Sequence, residues 1–568
     1  MSLVGKRPFF LVLCLVALAA CQNAAGESTG GQAVPTASSL FADAKATAVP
    51  VPDDGGTAVA PPSTTAANLI VIDTTAQPVP INRLVLGTNL PAWIGREKTE
   101  DETFIARTIA SGVTHIRIPG GSWSNGYNWL ACETGADISG DTEACWSWPW
   151  GLRPTDFINF IKATGTEAMY TVNQNGTAQE AAALVAFFNG AVDDDRGIGI
   201  DVRGRDWGRV SDWAQLRSDN GNPDPLSVRY WEIGNETYGG NSESGTDCVS
   251  WGWEEVWTCD GREYVNGIGQ GSERHEGFLE FRAAMQAVDS TIQVGAVGVT
   301  PQADWSEWGL EVIEEAGAAL DFYIIHQYAY FDPPQTYAEI LAQPQKVWPE
   351  IVADANAAFD SVGNGRTVPI ALTEYNLFAV QDQDNRRMMK QAGNMLFMAD
   401  TIGQMMQQGV ALANQWNLVN GEADNGTDYG LLNADTFARS PQYYVFPLWA
   451  RFGSAMLPVT TTIPVDSVLS VYAGRMDEQT FSLLAINKTG TAVSSEIQLD
   501  GLSAFTVSAD VVQALSLDSE TVIFNGIEEP ADDLTGATAV SLGQYSRSVT
   551  FEFAPYSLTL LTLAANPD

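Results

Sequence analysis

The sequence predicts an α/β fold, a (β/α)8 TIM barrel followed by an antiparallel β-sandwich. Three observations carry this. Eight short apolar runs alternate with longer stretches of helical spacing between residues 84 and 416, the pattern of parallel β/α units. The fourth and seventh runs are each followed by a glutamate, Glu236 and Glu374. Strand tips that far apart in sequence converge in a closed barrel. Beyond about Pro447 the helical spacing disappears, and β-rich segments separated by turn residues take over, as in a sandwich.

Taken in order, residues 1–20 carry Lys6 and Arg7 and then an apolar run from Phe9 to Ala20. About 12 apolar residues are too few to cross a hydrocarbon core of ~30 Å, so a signal peptide is expected. Its end, Leu18-Ala19-Ala20-Cys21, resembles the lipobox of bacterial lipoproteins. That resemblance implies cleavage before Cys21, a lipid on its sulfur, and export to a bacterial cell surface or periplasm. Residues 21–67 are rich in Ala, Thr, Ser, Gly and Pro without apolar period and are expected to form a disordered tether. Residues 68–82 should add one strand, at 68–75, to the sandwich. The barrel is assigned to 83–447, with strands at 84–89, 113–119, 167–173, 228–234, 292–297, 322–328, 368–373 and 410–416. Helices are expected at 178–188, 276–288, 305–316 and 386–408. The sandwich is assigned to 448–568, with strands at 468–474, 480–487, 493–499, 507–515 and 548–563.

The formal net charge is −40, from 69 acidic and 29 basic residues. Nucleic-acid binding needs the opposite balance and is excluded. Attraction to anionic lipid or a polyanionic substrate is disfavoured in the same way, so contact with a membrane is expected only through the lipid anchor. A neutral polymer carries no such penalty. With three histidines and six cysteines, no metal-ligand spacing emerges, and neither a metal nor another cofactor is expected. Cys132/Cys145 and Cys248/Cys259 are two close pairs that read as disulfides in an exported chain. Trp123, Trp129, Trp146, Trp148 and Trp150 surround the first pair, and Trp251, Trp253 and Trp257 lie within the second. Both clusters follow strand ends on the face where barrel sites form, and indole faces stack on sugar rings. They are read as walls of a cleft with several sugar subsites.

The chemistry centres on Tyr230-Trp231-Glu232-Ile233-Gly234-Asn235-Glu236. An amide beside a carboxylate at a strand tip can hold a sugar hydroxyl and protonate a glycosidic oxygen. Thr373-Glu374 supplies the second carboxylate that such a reaction needs. Glu232 shares strand parity with Glu236 and is expected inside the barrel in a structural ion pair. His275, among Glu273, Arg274 and Glu276, is expected to be a solvated helix start.

Several stretches together resemble clan A retaining glycoside hydrolases, most of all family 51, with a likeness to family 44 in the C-terminal part. They are Arg117-Ile118-Pro119-Gly120-Gly121, Gly126-Tyr127-Asn128-Trp129, Val172-Asn173, Trp231–Glu236, His326-Gln327-Tyr328, Thr373-Glu374, Ser470-Val471-Tyr472 and Ile486-Asn487-Lys488. The resemblance implies Glu236 as general acid/base, Glu374 as nucleophile, and Asn235 on the sugar 2-hydroxyl. It implies that Arg117 keeps the nucleophile ionised and that Asn173, His326, Tyr328 and Trp416 bind substrate. Trp123 and Trp129, from the first tryptophan cluster, are expected to contact it from the cleft wall. Two departures concern arabinofuranose recognition. Family 51 arabinofuranosidases have Asn after Pro-Gly-Gly, where this chain has Ser122. They also have Glu after the first strand, where this chain reads Thr88-Asn89-Leu90-Pro91. The resemblance therefore implies a retaining glycosidase on a neutral plant-type polysaccharide, of endo-β-glycanase or α-L-arabinofuranosidase type. The alternative from another class is a non-catalytic, glycan-binding surface lipoprotein on a barrel scaffold. Oligomeric state is not legible in the sequence.

Overall fold

The computed structural model describes residues 68–135, 150–240, 254–334 and 336–565. Cys21, the signal segment and the tether lie outside the described residues, as do Cys145, Cys248, Trp146, Trp148, Trp251 and Trp253.

All eight expected barrel strands are present. They are β1 (Gly87–Asn89), β2 (His115–Ile118), β3 (Glu167–Val172), β4 (Tyr230–Ile233), β5 (Gln293–Val297), β6 (Phe322–Tyr330), β7 (Ile370–Phe378) and β8 (Leu412–Gln415). Every neighbouring pair is parallel, and β8 closes onto β1. Side chains alternate as the pleat requires. On β2–β4 the outward set, including Ile116, Tyr170, Val172, Trp231 and Ile233, is buried in the main core beneath the helical layer. The inward set changes character along the axis. Met169, Phe322, Ile324, Ala371 and Leu412 form a separate apolar cluster, whereas Arg117, Thr171 and Glu232 are hydrogen-bonded together near the strands' C-terminal ends. Polar groups buried there must be satisfied by one another, and that network becomes the floor of the site.

Strand ends depart from expectation in an informative way. The first strand starts at Gly87, because Arg83–Val85 forms a 3₁₀ turn capped by Asn82. β7 continues past Thr373 to Phe378, so Glu374 lies inside the strand and not beyond it. Pairing with β6 slips at this point, Ile325 facing Leu372 but His326 facing Glu374. The extra residue is a bulge, a device that re-aims side chains. It lets consecutive residues Thr373 and Glu374 both reach the site, where Thr373 Oγ1 meets His326 Nε2 at 2.9 Å and Glu374 meets Arg117 at 2.8 Å.

The expected N-terminal strand is Leu69–Asp73, wedged between Val459–Thr461 and Val493–Asp500. With Ser548–Phe553 these form the smaller sandwich sheet. The expected single strand 548–563 is two. Ser548–Phe553 belongs to the small sheet and Ser557–Ala565 to the larger one. Pro555, which has no N–H to donate, and Tyr556, at φ +45°, make the crossover. Val540–Tyr545, an added strand on Phe505–Gln513, was not expected. The sandwich core is apolar, built from residues such as Ile70, Ile72, Leu483, Ile497, Phe551 and Leu561.

The sandwich is clamped to the barrel helix Ala392–Gln407. Lys488 Nζ pairs with Asp400 Oδ2 at 2.7 Å, and the Tyr472 hydroxyl donates to Asp400 Oδ1 at 2.6 Å. All three residues are buried. The Tyr472 ring lies against Gly403, where a Cβ would come within 2.4 Å of it. Tyr472 and Lys488, both within motifs that carry the family resemblance, therefore hold the two units together and stand outside the site.

Candidate active site

Arg117 on β2 is fully buried and organises the floor. Its Nη1 donates to Glu374 Oε1 at 2.8 Å and to Asn89 Oδ1 at 2.9 Å. Nη2 donates to Asn235 Oδ1 at 2.8 Å, and Nε to Glu232 Oε1. Glu232 Oε1 also takes the Thr171 hydroxyl at 2.5 Å. Glu232 is thus the expected internal ion-pair partner. Burial works against the charge on Arg117, but Glu232 and Glu374 outweigh it and raise its pKa, so the guanidinium stays cationic. Burial pushes the Glu374 carboxyl up, while His326, Arg117 and the Tyr328 hydroxyl act the other way. That hydroxyl donates to Glu374 Oε2 at 2.7 Å, so each oxygen of Glu374 has its own donor.

Glu236 follows β4 through a tight turn. Gly234 has φ +81°, and a Cβ there would lie 2.4 Å from Gln174 Oε1 and 2.8 Å from Thr237 Oγ1. Glu236 itself is left-handed at φ +40°, ψ +39°, a conformation that costs a non-glycine residue about 1–2 kcal/mol. Its Oε1 accepts from the Tyr238 hydroxyl at 2.9 Å and meets His326 Nδ1 at 2.9 Å. His326 Nδ1 is also 3.7 Å from Glu374 Oε2. Burial opposes a charge on His326, but Glu374 and Glu236 prevail and raise its pKa. His326 and Tyr328, two apart on β6, do share one pocket. A carboxylate oxygen of Glu236, one of Glu374 and a ring nitrogen of His326 all lie within 4.8 Å of one another. Such a trio could ligate a cation, but Arg117 and a His326 inclined to protonate already supply positive charge. The set suits proton transfer and attack by a carboxylate better than metal binding.

Above the floor opens a cleft of ≈ 1070 Å³. Asn235, Glu236, Glu374, His326, Tyr328 and Trp416 line it. Trp93, Trp123 and Trp416 form one aromatic wall, with ring centroids 5.2 Å apart for Trp93–Trp123 and 5.8 Å for Trp93–Trp416. Gly121 gives Trp416 room, since a Cβ there would lie 2.5 Å from its ring. Tyr238 and Trp305, 5.4 Å apart, stand on the side of Glu236. Trp93 and Trp305 were not anticipated, because neither lies near a cysteine pair or a motif.

Two expected substrate contacts are elsewhere. Trp129 is buried against Phe187 and Trp213, because Asn128 caps the helix Trp129–Thr134 and this short helix packs its first residue onto the helical layer. Asn173 follows the end of β3 and accepts the Asn175 N–H at 2.9 Å, closing a turn. It lines, with Trp129, a small cavity separate from the cleft. Trp150 is exposed, and Trp257 stacks on His275, which is exposed as expected but pairs with Ile268 ahead of the helix Phe278–Val288 and does not start it. The two departures from family 51 also find partners. Asn89 is buried, accepting from Arg117 and donating to the Thr373 carbonyl at 3.0 Å. Ser122 donates to Glu254 Oε1 at 2.6 Å. Glu254 is a further carboxylate at the site, besides Glu232, Glu236 and Glu374, that sequence reasoning missed, since no motif or period marks it.

No family model matches the chain. In sequence it is 23% identical over 287 residues to an intracellular exo-α-(1→5)-L-arabinofuranosidase of Halalkalibacterium halodurans, covering 48% of each chain. It is 21% identical over 439 residues to a Bacillus subtilis protein of the same description, covering 70% of this chain and 77% of that one. The chain thus spans about half the length of the first relative. Among solved structures, an α-L-arabinofuranosidase from Thermotoga maritima superposes with a TM-score of 0.65 at 20% identity, covering 88% of this chain and all of the other. A family 44 xyloglucanase from Paenibacillus polymyxa gives 0.56 at 14% identity, covering 88% and 99%. The chain is therefore similar in sequence to α-L-arabinofuranosidases and has the barrel-and-sandwich fold of glycoside hydrolase families 51 and 44.

Proposed function

We propose that the protein is a retaining glycoside hydrolase that cleaves a neutral polysaccharide by double displacement. The observation that carries this reading is the pair Glu236 and Glu374, whose carboxylates approach within 4.8 Å yet have different partners. Retaining enzymes hold their carboxyl groups about 5–5.5 Å apart, whereas inverting ones need about 6.5–9.5 Å to admit a water. Glu374, beside the Arg117 cation, attacks the anomeric carbon as its oxygens are held by Arg117 and Tyr328. Glu236, held by Tyr238 and His326, protonates the departing oxygen and then takes the proton of the water that frees the sugar. Arg117 is the electrostatic support of the nucleophile, and His326 relates the two carboxylates.

Endo action on a β-glycan is favoured over removal of a terminal arabinofuranose. The cleft exceeds the ~300–1,000 Å³ typical of single-ligand pockets and has aromatic rings on both sides of the carboxylates. In the two stretches that depart from family 51, Asn89 and Ser122 are engaged with protein groups. In the same proposal the chain is exported, anchored by a lipid on Cys21, and pinned by Cys132–Cys145 and Cys248–Cys259. Cys21→Ser should move the protein from the membrane fraction to the soluble one, and a variant that still pellets overturns the anchor.

The glutamates are tested by azide rescue. Glu374→Ala should lose turnover on every substrate. Glu236→Ala should keep the first step on a dinitrophenyl glycoside and regain turnover with azide, giving a glycosyl azide of retained configuration. Azide on Glu374→Ala should give the inverted product. An inverted natural product from the wild type, or full activity in both variants, sinks the reading. A wild type that binds polysaccharide but turns over no glycoside leaves the glycan-binding alternative.

A further inference from the structure

Asn235 is held at both ends of its amide. Its Oδ1 accepts from Arg117 Nη2 at 2.8 Å, and its Nδ2 donates to Glu254 Oε1 at 2.9 Å. Arg117 can only donate, so the amide has one orientation, with Nδ2 towards Glu254. Nδ2 has one more hydrogen to give, and Asn235 lines the cleft beside Glu236. Glu254 is itself fixed. Its Oε1 takes the Ser122 hydroxyl at 2.6 Å, its Oε2 takes Asn125 Nδ2 at 2.7 Å, and its backbone N–H donates to the Gly239 carbonyl at 3.0 Å. Asn125 closes the ring, donating to the Asn235 carbonyl at 2.8 Å and accepting from its N–H at 3.0 Å. Glu254 is fully buried and faces three donors.

Resting on the retaining-glycosidase reading, we infer that Glu254 is the positioning residue that aims the Asn235 amide at the sugar hydroxyl next to the reacting carbon. Burial of a carboxylate is costly, and here its hydrogen bonds all serve groups around Asn235. Burial, followed by the charge of Glu236, pushes its pKa up to about 8, while the three donors oppose the rise. Either protonation state keeps an acceptor oxygen for Asn235 Nδ2. Shortening or removing the side chain withdraws that acceptor and leaves the amide tethered to Arg117 alone. An error of about 1 Å at a reacting centre costs on the order of 100-fold in rate.

The test uses the full chain with the aryl glycoside it cleaves best and the 2-deoxy analogue of that substrate. Glu254→Ala should lower kcat/KM by about 10- to 100-fold on the hydroxylated substrate, with at most a small loss on the 2-deoxy one. Asn235→Ala should show the same pattern, and the double variant should be no worse than Asn235→Ala alone, because the two act as a unit. Glu254→Asp, which keeps the charge but cannot reach, should behave like Glu254→Ala and carries the test if the alanine variant does not fold. Glu254→Gln, which keeps an acceptor oxygen, should recover most of the loss. The inference is overturned by equal losses on both substrates, by losses that add to those of Asn235→Ala, or by a fully active Glu254→Asp. A wild type inactive on all aryl glycosides, or an active Glu374→Ala, instead fails the glycosidase reading and takes this inference with it.

Discussion

Tyr328 and Arg117 divide the two oxygens of Glu374 between them, one by a neutral hydroxyl and one by a cation. Burial keeps Tyr328 protonated, pushing its pKa well up with Glu374 adding to the rise, so it acts only as a donor at neutral pH. Tyr328→Phe keeps the ring and removes the donor. It should cut kcat by about 10- to 100-fold with a melting temperature close to the wild type. A variant with unchanged kcat would mean that Arg117 alone orients the nucleophile. Arg117 is different in kind, since its removal strands Glu232 and Glu374 in the interior. Breaking a buried pair from one side costs about 3–5 kcal/mol, so Arg117→Met should lose stability and activity together. Arg117→Lys cannot span four acceptors with one ammonium and should fold with at least about 100-fold lower kcat. His326 and Tyr328 were legible because a strand repeats every two residues. Glu254 was not, because its partners Ser122, Asn125 and Asn235 are distant from it in sequence and leave no local pattern.

At the level of elements, the eight barrel strands were legible as apolar runs, but their ends were not. The apolar run at 368–373 stops at Thr373, whereas pairing with β6 carries β7 on to Phe378. Strand length is set by the partner there and not by local composition. Residues 548–563 show the reverse error, since Pro555 breaks a stretch that composition alone reads as continuous. Trp129 and Asn173 failed for a related reason. Each is the last residue of a motif, but a helix cap and a turn place them at a small cavity separate from the cleft. The turn after β4 offers a clean test of geometry against chemistry. Gly234→Ala adds one methyl at φ +81°, where Gln174 and Thr237 already fill the space. The conformation alone costs about 1–2 kcal/mol, and the clash must move Gln174 or Glu236. Melting should therefore fall by a few degrees and kcat should drop with every substrate, polysaccharide or aryl glycoside. A variant less stable but fully active would show that the turn yields away from Glu236.

For the whole molecule, charge decides how stability follows pH. The chain carries −40, and its buried groups add a specific term. Desolvation pushes Glu180 and Asp428 up to about 7, and Glu254 rises to about 8. His115, buried against Asn414, is pushed down to about 4. Between pH 4.5 and 6.5 the fold holds three carboxyl protons that the unfolded chain has released. The unfolded chain holds one His115 proton that the fold excludes. These four groups leave the folded state with about two more protons. Glu276, Glu374 and Asp384, also raised by burial, act in the same direction, and stability falls as pH rises. Above pH 6.5 the His115 contribution vanishes, His326 still holds a proton that the unfolded chain loses, and the contributions of Glu180, Asp428 and Glu254 fade as each titrates at about 7 to 8. Below about pH 4 the sign reverses, because Asp73 and Asp289, held low by hydrogen bonds from Thr75 in one case and Thr291 and Asn189 in the other, must take up protons. Asp289 keeps this direction although its burial acts against it. The melting temperature should thus peak between about pH 4 and 4.5 and decline towards pH 8. General repulsion among the surface carboxylates predicts a decline as well, and salt separates the two. At 1 M salt the Debye length shrinks to about 3 Å and surface repulsion is screened, whereas buried groups are screened much less. The melting temperature at pH 8 should rise with salt, but a gap between pH 5 and pH 8 should persist and narrow in Asp428→Asn. A gap that closes completely in salt would assign the whole effect to the surface and leave the buried carboxyls without a part in it.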